Sequence, residues 1–317
     1  MRMLPTDFAE RFERLCPPQW HLEAQRSFDQ PRAVTFRVNT LRPGHEHVID
    51  RLQAQGLDVA PVAWSQELGL HAWQVAAEQR EALTYSHEAE VGDIYIQSLS
   101  SMLAPWLLQP KVDDWVLDLA AAPGGKTILL AQMMKNQGRI SAVEPVKNRF
   151  FRLRANLERM GIENTQCYMK DGRAIGTLKP DTFDRIMLDA PCSSESRFKS
   201  YDASSTEHWS LRKVSECAKK QKRLIQSAFD ALKPGGVMMY CTCSFSPEEN
   251  EAVVSQLLKK RPAQLLPMAL PEDIANASPG LVSWLGKDFH PDCDQTLRIW
   301  PQGQMDGFYL ALIRKPL

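Results

Sequence analysis

The stretch "DWVLDLAAAPGGKTILLAQMMKN" (114–136) constrains the fold more than any other part of the chain. An apolar run too short for a helix passes through a loop of small residues into an apolar-periodic helix, which Gly138 closes. The same alternation recurs downstream. "RISAVE" reads as a strand and "VKNRFFRLRANLERMG" as a helix; "TQCYMK", "FDRIMLDA" and "GVMMYCTC" read as strands, with a helix around 211–232 before the last, and "FYLALIRK" as a final strand. Strands apolar along their whole length, alternating with helices, predict an α/β chain with a mostly parallel, doubly wound sheet. Ligands of such sheets bind beyond the carboxyl ends of the strands. The chemistry-bearing residues of this chain gather there.

Residues 1–90 read differently. A charged helical pattern near Asp7–Leu15 precedes "AVTFRVNTL", a strand; "HEHVIDRLQAQG" reads as a helix closed by Gly56, and "LDVAPVAW" and "LGLHAW" as short strands. The expected organisation is therefore a small α+β module over 1–90 followed by a larger domain over 91–317. At 44% hydrophobic and 24% charged residues, the composition is that of an ordinary globular protein. No run approaches the roughly 18 apolar residues of a membrane helix, and the first residues carry acids rather than an apolar signal. No membrane contact, a monomer and a cytoplasmic location are the expectations. Seven scattered cysteines without a CxxC pair argue against a disulfide framework and against structural zinc, so no metal is expected.

Three readings compete for the loop in "LDLAAAPGGKT" (117–127). It could be a plain strand–helix turn, a phosphate loop, or a seat for a nucleoside-type cofactor. The phosphate loop fails at Ala120, where the motif needs its first glycine, and at Pro123, which has no N–H to donate. Alanines and glycines instead let backbone approach a ligand closely. Glu144 ends the second strand in "AVEP", where an acid can accept from both ribose hydroxyls. Asp171 in "KDGR" ends the third strand and is expected on the adenine side.

Taken together, "LDLAAAPGGKT", "AVEP", "DGR", "LDAPCSS" and "PGGVMMYCTCS" resemble the Nop/Sun family of RNA cytosine-5 methyltransferases. The likeness extends to "FRVNTL" (36–41), "IQSLSSML" (96–103) and "DGFYLALIRK" (306–315), so it spans nearly the whole chain, and the spacing is nearest the bacterial ribosomal-RNA members. The resemblance implies a Rossmann-like class I methyltransferase domain preceded by a small RNA-binding module. It implies S-adenosylmethionine as cofactor, held by Ala120, Ala121, Ala122, Pro123, Gly124, Gly125 and Lys126 with Glu144, Asp171 and Asp189. It also implies RNA as partner, ribosomal RNA ahead of transfer RNA. The chain departs from the family pattern at Ala120, where cysteine is frequent, and at Ser194 and Ser196, where glycines are common.

Carbon 5 of cytosine is a poor nucleophile, and a thiolate added to carbon 6 makes it a better one. Asp189, at the end of the fourth strand, is the candidate group for ring nitrogen 3. On chemistry alone either Cys192 or Cys243 serves as nucleophile. The Nop/Sun resemblance points to Cys243, with Cys192 assisting release. An apparent helix start directly after Cys243 is expected to lower its thiol pKa. Cys241 reads as core, and Cys16, Cys167, Cys217 and Cys293 as structural. The "DAPC" motif replaces the [DN]-P-P-[YFW] of exocyclic amino methyltransferases and disfavours that reaction; an RNA-binding scaffold of the same fold is the non-enzymatic alternative. Overall charge is zero, yet 1–90 holds nine Arg, no Lys and thirteen acids, which moves the basic balance to the remainder. Its densest run is 211–223, with Arg212, Lys213, Lys219, Lys220, Lys222 and Arg223. That run reads either as a solvated face or as a phosphate track, extended by Arg37 and Arg42.

Overall fold

The computed structural model describes residues 4–317, so the first three residues of the expected 1–90 module lie outside the described residues. Strand β1 (Val34–Val38) is buried along all five residues. It pairs antiparallel with β3 (Ala72–Val75), which pairs in turn with β2 (Ala60–Pro61). The helix Val48–Ala54 covers this sheet, burying Val48 and Leu52 against Val34, Phe36 and Val38. "LDVAPVAW" gives less strand than its pattern suggests. Ladder pairing there spans Ala60–Pro61 alone, and Ala63–Glu67 is already helix, with Trp64 buried.

The small sheet runs on past residue 90, and the first two helices pack away from it. Strand β4 (Ile94–Ile96) pairs with β1, Phe36 opposite Ile96. The helices Thr6–Leu15 and His21–Asp29 leave the module altogether. Their Phe8, Phe12 and Phe28 join Phe198, Phe245 and Trp300 of the larger unit in one aromatic cluster. Phe12 meets Phe245 edge-on at 4.8 Å between ring centroids, and Phe245 stacks on Trp300. An amphipathic helix must bury its apolar face, and the flatter, larger aromatic surface lies across the molecule.

The large sheet carries β5 (Trp115–Leu119), β6 (Arg139–Val143), β7 (Thr165–Tyr168), β8 (Phe183–Asp189) and β9 (Leu232–Thr242). These five are parallel, in the order β7-β6-β5-β8-β9. Phe308–Arg314 adds antiparallel to β9, followed by Leu297–Ile299 and Ala277–Pro279. Helices Leu99–Leu108 and Gly125–Met133 cover one face; Leu211–Ala231 and Glu251–Lys260 cover the other. Burial on both faces is why the strands are apolar throughout rather than alternating. The chain reverses its direction across the sheet at β5, with β6 on one side and β8 on the other. A crevice opens there beyond the strand ends. Among the described residues no helix is long and apolar enough to cross a membrane, and no cluster of three metal-ligating side chains occurs.

Candidate active site

The loop leaving β5 is held by its neighbour strand: the amides of Ala120 and Ala121 both donate to the Val143 carbonyl at 3.0 Å. Gly124 has φ +113°, a conformation strained for any side chain. A Cβ on Gly124 would meet Leu153 at 3.1 Å, so this glycine turns toward the helix Lys147–Arg159 and not toward a ligand. Asp118, Ala120, Ala121, Ala122, Pro123, Gly125, Lys126 and Asp189 line a cavity of about 660 Å³. Thr35, Tyr95 and Gln97 form its far wall, and Arg80, Arg197 and Lys199 line it together with Asp202 and an Arg32–Asp306 ion pair. Gly124, Glu144, Asp171, Cys192 and Cys243 do not line it.

Two acids beside the loop have unmet hydrogen-bonding capacity. Asp118, unnoticed in the sequence reading although it stands inside "LDLAAAP", accepts from Thr127 Oγ1 at 2.6 Å through one oxygen. Its other oxygen is buried without a partner, and burial raises its carboxyl pKa to about 7. Glu144 is 1% exposed. Its Oε1 accepts from the Val146 amide at 3.0 Å, while Oε2, 3.6 Å from the Arg149 guanidinium, makes no hydrogen bond. Arg149 also donates to the Ala122 carbonyl at 2.8 Å, which ties this acid to the alanine loop. Orphaned acceptors are costly unless a ligand completes them, and a hydroxyl-bearing nucleoside is suited to do so.

Asp171 and Lys126 are each held by an ion pair. The Asp171 carboxylate is held by Arg173 Nε at 2.9 and 3.0 Å and faces a second cavity, shared with Arg223, Asp230 and Arg261. Lys126 points inward. Its ammonium donates to Asp189 Oδ2 at 2.7 Å and Ser101 Oγ at 2.6 Å, with the Phe308 ring 5.3 Å away. Burial works against that charge, but Asp189 outweighs it and the lysine pKa is raised. Lys126 thus lines the cavity and orients Asp189 within it.

Parallel pairing of β8 with β9 sets Asp189 opposite Cys241, so both strands end side by side. Cys192 lies in the turn after β8 and Cys243 directly after β9, with their sulfurs 3.3 Å apart and both partly exposed. The hydrogen bond between the two thiols lowers the Cys243 pKa to about 7 against the effect of burial, and the Arg197 charge adds to it. Cys192 is pushed well up by the same contact. The expected helix start plays no part in this, because residues 244–246 are irregular, 247–250 form a turn and the helix begins at Glu251. Cys241 is core, as its position suggests, and its thiol donates to Asp189 Oδ1 at 3.7 Å. Burial raises the remaining four thiols, Cys16, Cys167, Cys217 and Cys293. Ser194 stands in the left-handed region at φ +60°, the conformation glycine adopts freely. Ser196 donates its amide to the Cys243 carbonyl at 3.0 Å. Glu195 and Glu249, both buried and both unnoticed in the sequence reading, bind the two cysteine turns to one another.

Of the expected phosphate track, Arg37 and Arg42 fall away. Arg37 is 1% exposed, donates to Gln97 Oε1 at 2.9 Å and the Gly125 carbonyl at 3.2 Å, and burial lowers its pKa to about 9. Arg42 holds the Val91 and Arg159 carbonyls at 3.2 and 2.6 Å. The helix Leu211–Ala231 does turn Arg212, Lys213, Lys219, Lys220 and Arg223 outward, with Lys222 half-buried and Arg212 paired to Glu216 at 3.0 Å.

Sequence and structure were compared with known proteins. The sequence model of the family described as 16S rRNA methyltransferase RsmB/F matches residues 105–314. A tRNA (cytosine(49)-C(5))-methyltransferase of Pyrococcus abyssi is 38% identical over 289 residues, covering 90% of this chain and 89% of the relative. Ribosomal RNA small subunit methyltransferase F of Vibrio campbellii is 36% identical over 316 residues, 98% of this chain. The chain spans 63% of that relative's length. The crystal structure of a methyltransferase homolog protein from Pyrococcus horikoshii superposes with a TM-score of 0.80 at 34% identity, over 98% of this chain and 95% of the other.

Proposed function

Since the chain belongs to the 16S rRNA methyltransferase RsmB/F family, a Nop/Sun-class family of RNA methyltransferases, we propose that it methylates carbon 5 of a cytosine in RNA through a covalent adduct with Cys243. One observation carries the reading: two sulfurs 3.3 Å apart beside an acid at the end of the neighbouring strand. Cys243, the more acidic thiol, adds to carbon 6 of the base. Asp189 faces ring nitrogen 3 and delivers a proton to it as negative charge develops there, and the Lys126 ammonium stabilises the carboxylate left behind. S-adenosylmethionine, when bound, supplies an electrophilic methyl group. Once Cys243 is bound to carbon 6, Cys192 gives its own proton to solvent and as thiolate takes the proton from carbon 5, and the Cys243–carbon 6 bond breaks to return the thiolate.

The cofactor seat in this reading is the alanine loop with Asp118 and Glu144, whose unpartnered oxygens suit hydroxyl and amino groups of the ligand. Asp171 joins it only if Arg173 releases its carboxylate. Arg80, Arg197 and Lys199 in the cavity lining suit phosphates near the target base.

Ribosomal RNA is the proposed substrate. Transfer RNA is the second reading, favoured by the archaeal relative that matches over nearly its whole length. Bisulfite sequencing of total RNA from cells with and without the gene tests both: a protected cytosine lost from ribosomal RNA supports the first reading, and one lost from transfer RNA supports the second. No lost cytosine in any RNA overturns the activity itself.

A further inference from the structure

The two sulfurs sit on separate turns after separate strands, and nothing covalent fixes their separation. Glu249 lies on neither turn's cysteine, yet its side chain touches both turns. Its Oε2 accepts from the Ser193 amide at 3.0 Å and from Gln221 Nε2 at 2.9 Å. Its Oε1 accepts from Ser244 Oγ at 2.9 Å and is in contact with Ser193 Oγ. Ser193 directly follows Cys192, and Ser244 directly follows Cys243. We propose that Glu249 is a positioning residue for catalysis, whose single carboxylate clamps the two cysteine turns and so sets the separation of the reacting sulfurs. This proposal rests on the reading of Cys243 and Cys192 as the reacting pair.

The surroundings show why a carboxylate is needed. Glu249 is 0% exposed, and an unsolvated acid is unfavourable unless donors satisfy it. Four donors do, each from a segment that must not move. Its own backbone is fixed as well, because the Tyr240 hydroxyl donates to the Glu249 carbonyl at 2.5 Å. Glu195 grips from the opposite side: its Oε2 accepts from the amides of Phe245 and Ser246 at 2.7 and 2.9 Å. The titratable groups facing Glu249 are Glu195, Cys192, Tyr240 and, from the helix Leu211–Ala231, Cys217. Burial and then the Glu195 charge raise the Glu249 pKa to about 7. A glutamine has the same shape but presents an NH₂ where one carboxylate oxygen accepts two bonds. Glu249→Gln therefore turns two accepted bonds into donated ones and reverses the Ser193 and Ser244 hydroxyls while the cavity stays filled.

The test reads sulfur geometry directly, without catalysis. In a glutathione buffer, glutathione disulfide oxidises Cys192 and Cys243 to a disulfide, two thiols giving one S–S bond while one glutathione disulfide becomes two glutathiones. Mass spectrometry of the linked peptides gives the equilibrium constant. Glu249→Gln in the full chain should lower that constant at least tenfold and kcat at least tenfold, with KM for RNA and calorimetric S-adenosylmethionine affinity within twofold. Ser193→Ala, which removes a single hydroxyl tether, should lower both about threefold, and it decides the matter if the first variant does not fold. A disulfide equilibrium and kcat within twofold of the parent in folded Glu249→Gln overturn the proposal. So does a loss of kcat, KM and cofactor affinity together, which marks a purely structural role. Should Cys243→Ala still methylate RNA, the proposed activity falls, and the disulfide equilibrium alone still decides whether Glu249 sets the sulfur separation.

Discussion

The two cysteines differ in proton affinity, and the difference assigns them different failures. Cys243→Ala should give neither methylated RNA nor adduct. Cys192→Ala keeps the nucleophile but loses the group that accepts the carbon 5 proton, so an RNA–protein adduct should accumulate and survive a denaturing gel. The opposite pattern on that gel exchanges the roles. Because the thiolate reacts and contact with Cys192 lowers its pKa to about 7, single-turnover adduct formation by the parent chain should rise about tenfold per pH unit below 7 and level off above it. Rapid-quench measurements from pH 5.5 to 8.5 check this. At the cofactor seat, Glu144→Gln should weaken S-adenosylmethionine binding by about 1.5–3 kcal/mol, the range for hydrogen bonds to a charged group, as read by calorimetry. Unchanged affinity removes Glu144 from the seat. Asp189, Cys192 and Cys243 are legible in the sequence because each sits at the end of an apolar run, where chain direction alone fixes the place. Lys126, Asp171 and Arg37 are not, since a long side chain reaches several partners from one backbone position, and the partner here is set by tertiary packing. Asp118 and Glu249 escape notice for a related reason: an acid inside an apolar or turn-forming run carries no mark of its burial.

At the scale of elements, the helix Leu211–Ala231 and strand β1 divide the arginines and lysines between two tasks. The helix buries Val214, Cys217, Gln221 and Ile225 and leaves Lys219, Lys220 and Arg223 outside. If they meet phosphates, changing all three to Ala should flatten the slope of log affinity against log salt by about 2–3 units. The cofactor affinity should not move. A filter-binding salt series checks both, and an unaltered slope returns this face to solvation. Strand β1 behaves oppositely: Arg37→Ala should cost about 1.5–3 kcal/mol of folding stability through its lost buried bonds, measured by urea unfolding, with no change in the salt slope. Residue spacing tells which helix positions face outward, so the basic face is readable beforehand. It does not tell that "FRVNTL" forms an interior strand of a small sheet whose arginine turns to the larger unit. Likewise "LDVAPVAW" carries strand residues, but the helix that starts at Ala63 depends on Trp64 finding a buried place.

Over the whole molecule, the alternation of strands and helices in the sequence suffices for the doubly wound sheet, because short apolar runs can be buried on two faces in few other ways. The allegiance of the first thirty residues is not written in that pattern. An amphipathic helix declares that it has a face to bury and not against which surface. Phe12→Ala should therefore cost about 3–5 kcal/mol in a full-length unfolding experiment, the loss of a core residue and not of an appendage. Arg11 pairs with Glu248 at 2.7 Å, and Arg32 pairs with Asp306 at 2.5 Å. The cavity wall likewise joins Arg32 to Gln304 and Asp306, and Phe308 lies against Lys126. These contacts set residues far apart in sequence side by side on one cavity wall, so a ligand seated there would hold together segments that no local contact joins.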